Sequence, residues 1–360
     1  MARKLKEYRA KRDFDRTTEP SGAGDDGREP AGGGRFVVHQ HDARNLHWDL
    51  RLEHRGVLLS WALPRGIPQL PDRAANRLAV HTEDHPLEYI DFHGEIPAGE
   101  YGAGEMTIWD SGTYEAQKLR KDEVIATFEG GRLRGRYALF QTRGKNWMIH
   151  RMDPPADPER VLIPDDLRPM LPRRGSLPRN ESKFGYEIAW GGLRTMLWCE
   201  PGHIRKAEAH GLDDPIRHFP ELRRIARVLG STEAVLDGEL VVLDDEGRPD
   251  RTALRERKRS SSESAARRLS SQKRATLMLF DLPFVDGRSL LELPYEERRG
   301  KLDELKLDGE AWQTPSYHRG DGKQLLAAAG ERRLAGLVAK RLDSHYEPGR
   351  RSDAWVKVDT

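Results

Sequence analysis

The segment His41-Asp-Ala-Arg-Asn-Leu-His47-Trp-Asp49-Leu-Arg51-Leu-Glu53 gathers two imidazoles, three carboxylates and two guanidinium groups in one short stretch. Side chains alternate across a strand with period two. If the stretch is extended, one face carries His47, Asp49, Arg51 and Glu53, and the other carries Leu46, Trp48, Leu50 and Leu52. Residues two apart on one face lie about 7 Å apart, which lets His47 and Asp49 share a metal ion. His41 can add a third ligand from the preceding turn. Imidazole and carboxylate without thiolate suit Mn2+, Zn2+ or a similar divalent ion. On this stretch alone, the solvent face of an amphipathic strand fits equally well.

A second stretch, Arg77-Leu-Ala-Val-His-Thr-Glu83-Asp-His85-Pro86, favours the metal reading. Its alternation predicts Leu78 and Val80 buried, with Arg77, His81, Glu83 and His85 turned the other way. Arginine binds phosphate oxygens bidentately through its planar fork, so two such faces could enclose a phosphate. The plainer alternative is a salt-bridged strand ending in a Pro turn. The glycines between Gly94 and Gly104 lack the Lys and Ser/Thr of a phosphate-binding loop. A strand-like run follows them rather than a helix, so they read as the turn of a hairpin.

Strand-like runs at 35–39, 47–53, 57–62, 77–82, 105–109, 133–141 and 147–151 must position these residues. Gly, Pro and Asn/Asp separate them, as in a small antiparallel β-barrel. Residues 1–34 read as a flexible basic arm, 35–155 as this mostly β domain, 156–182 as a Pro-rich linker, and 183–360 as an α+β domain. In the last, strands near 186–190, 234–243, 276–281 and 336–341 alternate with helical stretches. Leu222, Ile225, Ala226 and Leu229 share one helical face, 296–306 reads as a helix, and the Arg- and Ser-rich segment 245–275 reads as a mobile excursion.

A length of 360 residues fits two domains, and a formal net charge of +2 gives no global basic field to attract nucleic acid. The charge is uneven. Arg3, Lys4, Lys6, Arg9, Lys11, Arg12 and Arg16 crowd the first residues, and Arg255-Glu-Arg-Lys-Arg259 forms a second run. Either could meet phosphates or simply be solvated. Cys199 is the sole cysteine, which excludes an intramolecular disulfide and a Cys-rich zinc site. The basic, polar start is not a signal peptide. No apolar run reaches the roughly 18–20 residues of a membrane span. The single cysteine fits a reducing cytosol, which is the expected location.

The runs 36–53, 60–66 (SWALPRG), 77–89 and 94–110 together resemble the phosphoesterase module of the bacterial non-homologous end-joining ligase D, over roughly residues 1–155. The resemblance implies a Mn2+-dependent enzyme that removes 3′-phosphates and 3′-terminal ribonucleotides at DNA ends in double-strand break repair. By motif position, His41, His47 and Asp49 would hold the metal, and Arg51 and Arg77 would bind the scissile phosphate. His85 would contact that phosphate and stabilise the transition state or assist the leaving group. Glu83 would orient these groups, Tyr89 would support them, and Arg65 would meet substrate where Lys is common. Trp48 stands where Tyr is common, and His81 where His is unusual. Ku or a separate ligase is implied as a partner.

The runs 186–194 (YEIAWGGLR), 236–242 (LDGELVV), 280–287 (FDLPFVDG), 336–340 (GLVAK) and 355–357 (WVK) resemble the adenylation domain of ATP-dependent DNA ligases. That implies a nucleotidyltransferase-like, ATP-grasp-like fold. The chemistry departs from the pattern. The nucleophilic Lys of Lys-x-Asp-Gly is Ala189, and its Asp is Gly191. The acidic residue before Gly336 is Ala335, and the second Lys of the last motif is Asp359. Glu239, Phe280, Lys340 and Lys357 remain. A methyl group cannot be a nucleophile, so adenylation and ATP use are not expected, and no oligonucleotide-binding-fold domain is expected before Thr360. Two alternatives stand beside this reading: a non-catalytic scaffold that binds DNA ends, and a ligase with a displaced nucleophile such as Lys183.

Overall fold

The computed structural model describes residues 5–22 and 34–360. The chain divides into two compact units, Met1–Leu162 and Ile163–Thr360.

In the first unit the strands are β1 (Gly34–Asp42), β2 (Leu46–His54), β3 (Val57–Leu63), β4 (Arg77–His81), β5 (Gly94–Ile96), β6 (Gly104–Leu119), β7 (Glu123–Gly130), β8 (Arg134–Arg143) and β9 (Asn146–Arg151). They run in the order β1-β2-β3-β4-β9-β8-β7-β6, and β6 pairs back onto β1 to close an antiparallel barrel, with β5 added to β6 as a hairpin. Closure removes the sheet edges. The interior is filled by alternate side chains, among them Trp48, Leu50, Leu52, Trp61, Phe128 and Trp147. Trp48 is fully buried there.

A second apolar cluster lies on the outside of β1, β2 and β3. Val37 and Leu58 point outward and are covered by Tyr8, Tyr89, Ile90 and Phe92. Tyr89 and Ile90 belong to a 3-10 turn, Leu87–Asp91. Tyr8 comes from the short helix Lys6–Ala10 and is fully buried. The segment 5–22, expected within a flexible arm, is therefore docked. Its Tyr8 hydroxyl donates to the Pro20 carbonyl at 2.6 Å, and Glu19 accepts from the Tyr89 hydroxyl at 2.7 Å. The rest of the expected arm, including Arg3 and Lys4, falls outside the described residues.

β4 differs from its sequence-based expectation by one residue of phase. Ala79 is fully buried in the barrel, Leu78 is 37% exposed and Val80 is only half-buried. Arg77 and His81 share the inward parity of Ala79, opposite Ile149 and Trp61. A one-residue slip moves every side chain to the other face.

The second unit holds two sheets. One runs Leu171–Arg174, Arg351–Asp359, Gly336–Arg341, Phe184–Ile188, His318–Arg319. The other runs His203–Ala209, Leu193–Glu200, Ala234–Val242, Ala275–Val285, Arg288–Ser289. The expected linker contributes its later part to this unit, because Leu171–Arg174 pairs in parallel with Arg351–Asp359. The expected excursion 245–275 contains two helices, Arg251–Lys258 and Glu263–Gln272, capped by Asp250 and Ser262. They are tied down by Ala253, Ala266 and a buried Arg257 that donates to Glu221 at 2.7 Å.

Candidate metal and phosphate site

The outward face of β1 and β2 carries the chemistry. The β1–β2 register sets His41 opposite His47 and His39 opposite Asp49. One ligand atom from each of His41, His47 and Asp49 lies within 4.8 Å of the others. His41 Nε2 meets the Gly102 carbonyl at 2.8 Å, and His47 Nδ1 meets the Asn45 carbonyl at 2.9 Å. A carbonyl only accepts, so each of these nitrogens bears the ring proton. The other nitrogens, His41 Nδ1 and His47 Nε2, then face Asp49 with free lone pairs, at 3.8 and 3.7 Å. Anchoring through the second nitrogen is how metal-binding histidines are oriented. The donor set of two neutral imidazoles and a carboxylate fits a divalent ion such as Mn2+ or Zn2+.

Arg51 organises the floor of the site and is 3% exposed. It donates to Asp49 Oδ2 and Ser60 Oγ, both at 3.0 Å, and its guanidinium lies 4.7 Å from the Tyr89 ring. Burial would raise the Asp49 carboxyl, but the adjacent Arg51 guanidinium holds it below its ordinary value. His39 donates from Nε2 to the Phe92 carbonyl at 3.0 Å, and burial, reinforced by Arg51, depresses its pKa to about 3. His85 is also buried. Its Nδ1 donates to the Glu83 carbonyl at 2.8 Å, and burial with Arg51 and Arg12 pushes its pKa well down. The ring is therefore neutral, with Nε2 as an acceptor 3.4 Å from the Arg12 guanidinium.

A cavity of about 240 Å³ joins these groups; His41, His47, Asp49, Arg51, Glu83 and His85 line it, with Tyr89 and Arg12. Two expected members lie elsewhere. Arg77 is on the barrel's inward parity, and Arg65 is exposed away from the cavity. His81 packs between Trp61 and Trp147, at ring centroid distances of 5.3 and 5.8 Å.

Sequence reasoning missed Arg12, Glu19 and His39. Arg12 donates to Glu19 at 2.7 Å and Glu83 at 3.3 Å, while Lys11 donates to Glu83 at 2.9 Å. Burial would raise the Glu83 carboxyl, but these cations hold it down. His39 had a readable signal, because extending the two-residue alternation back from His41 places Val37 and His39 on the same outward face.

In the second unit the corresponding polar groups pair with each other. Glu239 accepts from the Trp190 and Gly192 amides at 3.2 and 2.7 Å. Lys340 lies 2.6 Å from Glu187, and Arg194 donates to Asp237 at 2.6 Å. Both cations also lie over the Phe280 ring, Lys340 at 4.2 Å and Arg194 at 4.5 Å. Ala189 is buried just after the strand Phe184–Ile188, and Lys183 is exposed at the end of the 3-10 turn that precedes it.

Residues 39–141 match the family model of the DNA ligase D 3′-phosphoesterase domain, and residues 177–359 match that of the ATP-dependent DNA ligase domain. The chain is 40% identical to the multifunctional non-homologous end joining protein LigD of Mycolicibacterium smegmatis, over 99% of this chain and 46% of that protein. It is 36% identical to LigD of Pseudomonas aeruginosa, over 98% of this chain and 47% of that protein. The chain thus spans about half the length of these relatives. A solved mycobacterial DNA ligase D complexed with ATP and MES is 34% identical over 54% of this chain and 60% of that one, with a TM-score of 0.46. A phosphoesterase-type barrel followed by a ligase-type domain, aligned over almost its whole length with such relatives, places this chain in the LigD family of non-homologous end-joining proteins.

Proposed function

We propose that the first unit is a metal-dependent phosphoesterase that trims DNA 3′ ends during double-strand break repair. It removes 3′-phosphates and 3′-terminal ribonucleotides. The observation that carries this reading is the pair of carbonyl-anchored histidines whose free nitrogens converge on Asp49, beside Arg51 and His85. A divalent ion held by His41, His47 and Asp49, with Mn2+ preferred, supplies electrophilic stabilisation of a phosphate oxygen.

The chain's own residues do the rest. Arg51 keeps Asp49 ionised and presents buried positive charge to the phosphate as its own charge develops. Arg12 is the second guanidinium lining the cavity, the place that motif position gave to Arg77. Glu19 and Glu83 fix Arg12 in place. His85, neutral with Nε2 directed at Arg12, contacts the phosphate or exchanges a proton with the leaving group. A scaffold that only bound DNA ends would have no use for two histidines oriented in this way.

We further propose that the second unit does not adenylate. Ala189 has no nucleophilic atom. Lys183 lies six residues upstream, roughly 20 Å along an extended strand, and Lys340 is held by Glu187. The substrate is then a DNA 3′ end, and Ku or a separate ligase completes the joining. Among the described residues no helix is long and apolar enough to cross a membrane.

The test is phosphate release from a primer-template bearing a 3′-phosphate, across several divalent metals, for wild type and His47→Ala. Mn2+-dependent turnover in wild type, lost in the variant, supports the reading. DNA binding without turnover in any metal leaves the scaffold. A covalent AMP adduct after incubation with labelled ATP would revive the ligase reading.

A further inference from the structure

The cavity beside the candidate metal site measures about 240 Å³. Pockets that enclose a whole small ligand run from roughly 300 to 1000 Å³. A phosphate and part of its sugar fill a space of this size, and the base attached to that sugar stays outside it. Whatever stands where the cavity opens therefore meets the base.

Two phenol rings line the cavity, and they are placed differently. Tyr89 is 1% exposed, and its hydroxyl is spent on Glu19. Tyr101 is 50% exposed, so its ring stands at the opening with apolar surface in water. That ring is held in place from two sides. The Ala103 amide donates to the Glu100 carbonyl at 3.1 Å and closes a tight turn, with Tyr101 and Gly102 between them. Gly102 has φ +80°, a conformation that glycine adopts at no steric cost. The Gly102 carbonyl also anchors His41, so the ring sits one residue from the anchor of a candidate metal ligand. On the other side, Arg16 lies 3.1 Å from Glu100. Lys11 Nζ and the Arg12 guanidinium lie 4.9 and 5.6 Å from the Tyr101 ring centroid, and both donate to Glu83.

We propose that Tyr101 is the platform for the terminal nucleobase of the strand whose 3′ end enters the cavity. The proposal rests on the phosphoesterase reading of this site and names a part of the substrate that the site recognises. The last base of a strand has one face without a stacked neighbour, so the ring meets it without disrupting the stack. Every base has a π-face, so the contact accepts any base and rejects an end that has lost its base. Lys11 and Arg12, beside the ring, add positive charge where the strand's phosphates approach.

The test is steady-state phosphate release by the full chain from two primer-templates with a 3′-phosphate. One ends in an ordinary nucleotide, and the other in a sugar without its base. Wild type should favour the first by about tenfold in kcat/KM, mostly through KM, the scale of one base stacked on an aromatic ring. Tyr101→Ala should lower kcat/KM on the first end by about as much and make the two ends equivalent. Tyr101→Phe keeps the ring and should keep the preference. Mn2+ binding by Tyr101→Ala, measured by calorimetry, should match wild type, because the Gly102 carbonyl that anchors His41 is main chain. Equal rates on the two ends in wild type, or a loss in Tyr101→Ala that is the same on both ends, overturns the proposal while leaving the phosphoesterase reading intact. No phosphate release from either end by wild type overturns that reading and the proposal with it.

Discussion

The two units hold similar inventories of buried charge and use them in opposite ways. In the first, His41 and His47 spend one nitrogen each on a backbone carbonyl and leave the other directed at Asp49 and a cavity. In the second, Lys340 is closed against Glu187, Arg194 against Asp237, and Glu239 against two amides. A buried network whose members satisfy each other holds a fold. One whose lone pairs are left open by design awaits a ligand. What distinguishes a reactive site is therefore where the unspent donors and acceptors point, more than how many charges are gathered.

The sharpest way to break this comparison is to remove a member of the open set. Asp49→Ala or His47→Ala should lower 3′-phosphate release by about 1000-fold or more, since a bound ion supplies several kcal/mol of charge stabilisation. Steady-state rates at saturating Mn2+ measure this, and a small effect would mean that the cluster is structural.

The next effect separates two arginines. Arg51→Ala should cost roughly 100- to 1000-fold in kcat, the scale of losing a buried donor to developing charge. Arg77→Ala should cost far less, because Arg77 lies on the opposite face of its strand. Equal losses would show that the face assignment in β4 is wrong for the working enzyme.

The closed set makes the reverse prediction. Lys340→Met leaves Glu187 buried without its cation and should lower the second unit's stability by about 3–5 kcal/mol, as breaking buried pairs does. Phosphate release by the first unit should be unchanged. Denaturant melts and turnover on the same samples check both halves.

The smallest effect is in pH. His39 and His85 have folded-state pKa values depressed by burial, His39 to about 3. The unfolded chain binds their protons near pH 6.5, the folded chain only at lower pH. Stability from these rings is fully present above about pH 6.5 and declines as pH falls below it. His39→Gln should flatten the fall in melting temperature between about pH 7 and about pH 5.

The legibility of this chain in its sequence followed local pattern. β2 reads directly, because its apolar side chains are large and its polar ones unbroken from His47 to Glu53. β4 misleads for a packing reason. Trp61 and Trp147 flank it inside the barrel, so the small Ala79 fits inward between Arg77 and His81, and the larger Leu78 is turned out. Hydrophobicity ranks Leu above Ala, whereas interior volume ranks them the other way. Arg77 was misplaced with it. The N-terminal segment was unreadable for another reason. Its anchors Tyr8 and Phe14 are two aromatic residues among charges, and their partners Tyr89 and Leu58 lie far along the chain. Arg12 reads as solvated because Glu19 and Glu83 reach it only in the fold.

Calorimetric titration with Mn2+ tests the central claim most directly, using wild type, His47→Ala and Lys340→Met. The account predicts one ion bound per chain in wild type and in Lys340→Met, and none in His47→Ala. Absence of binding in wild type, or undiminished binding in His47→Ala, would contradict it.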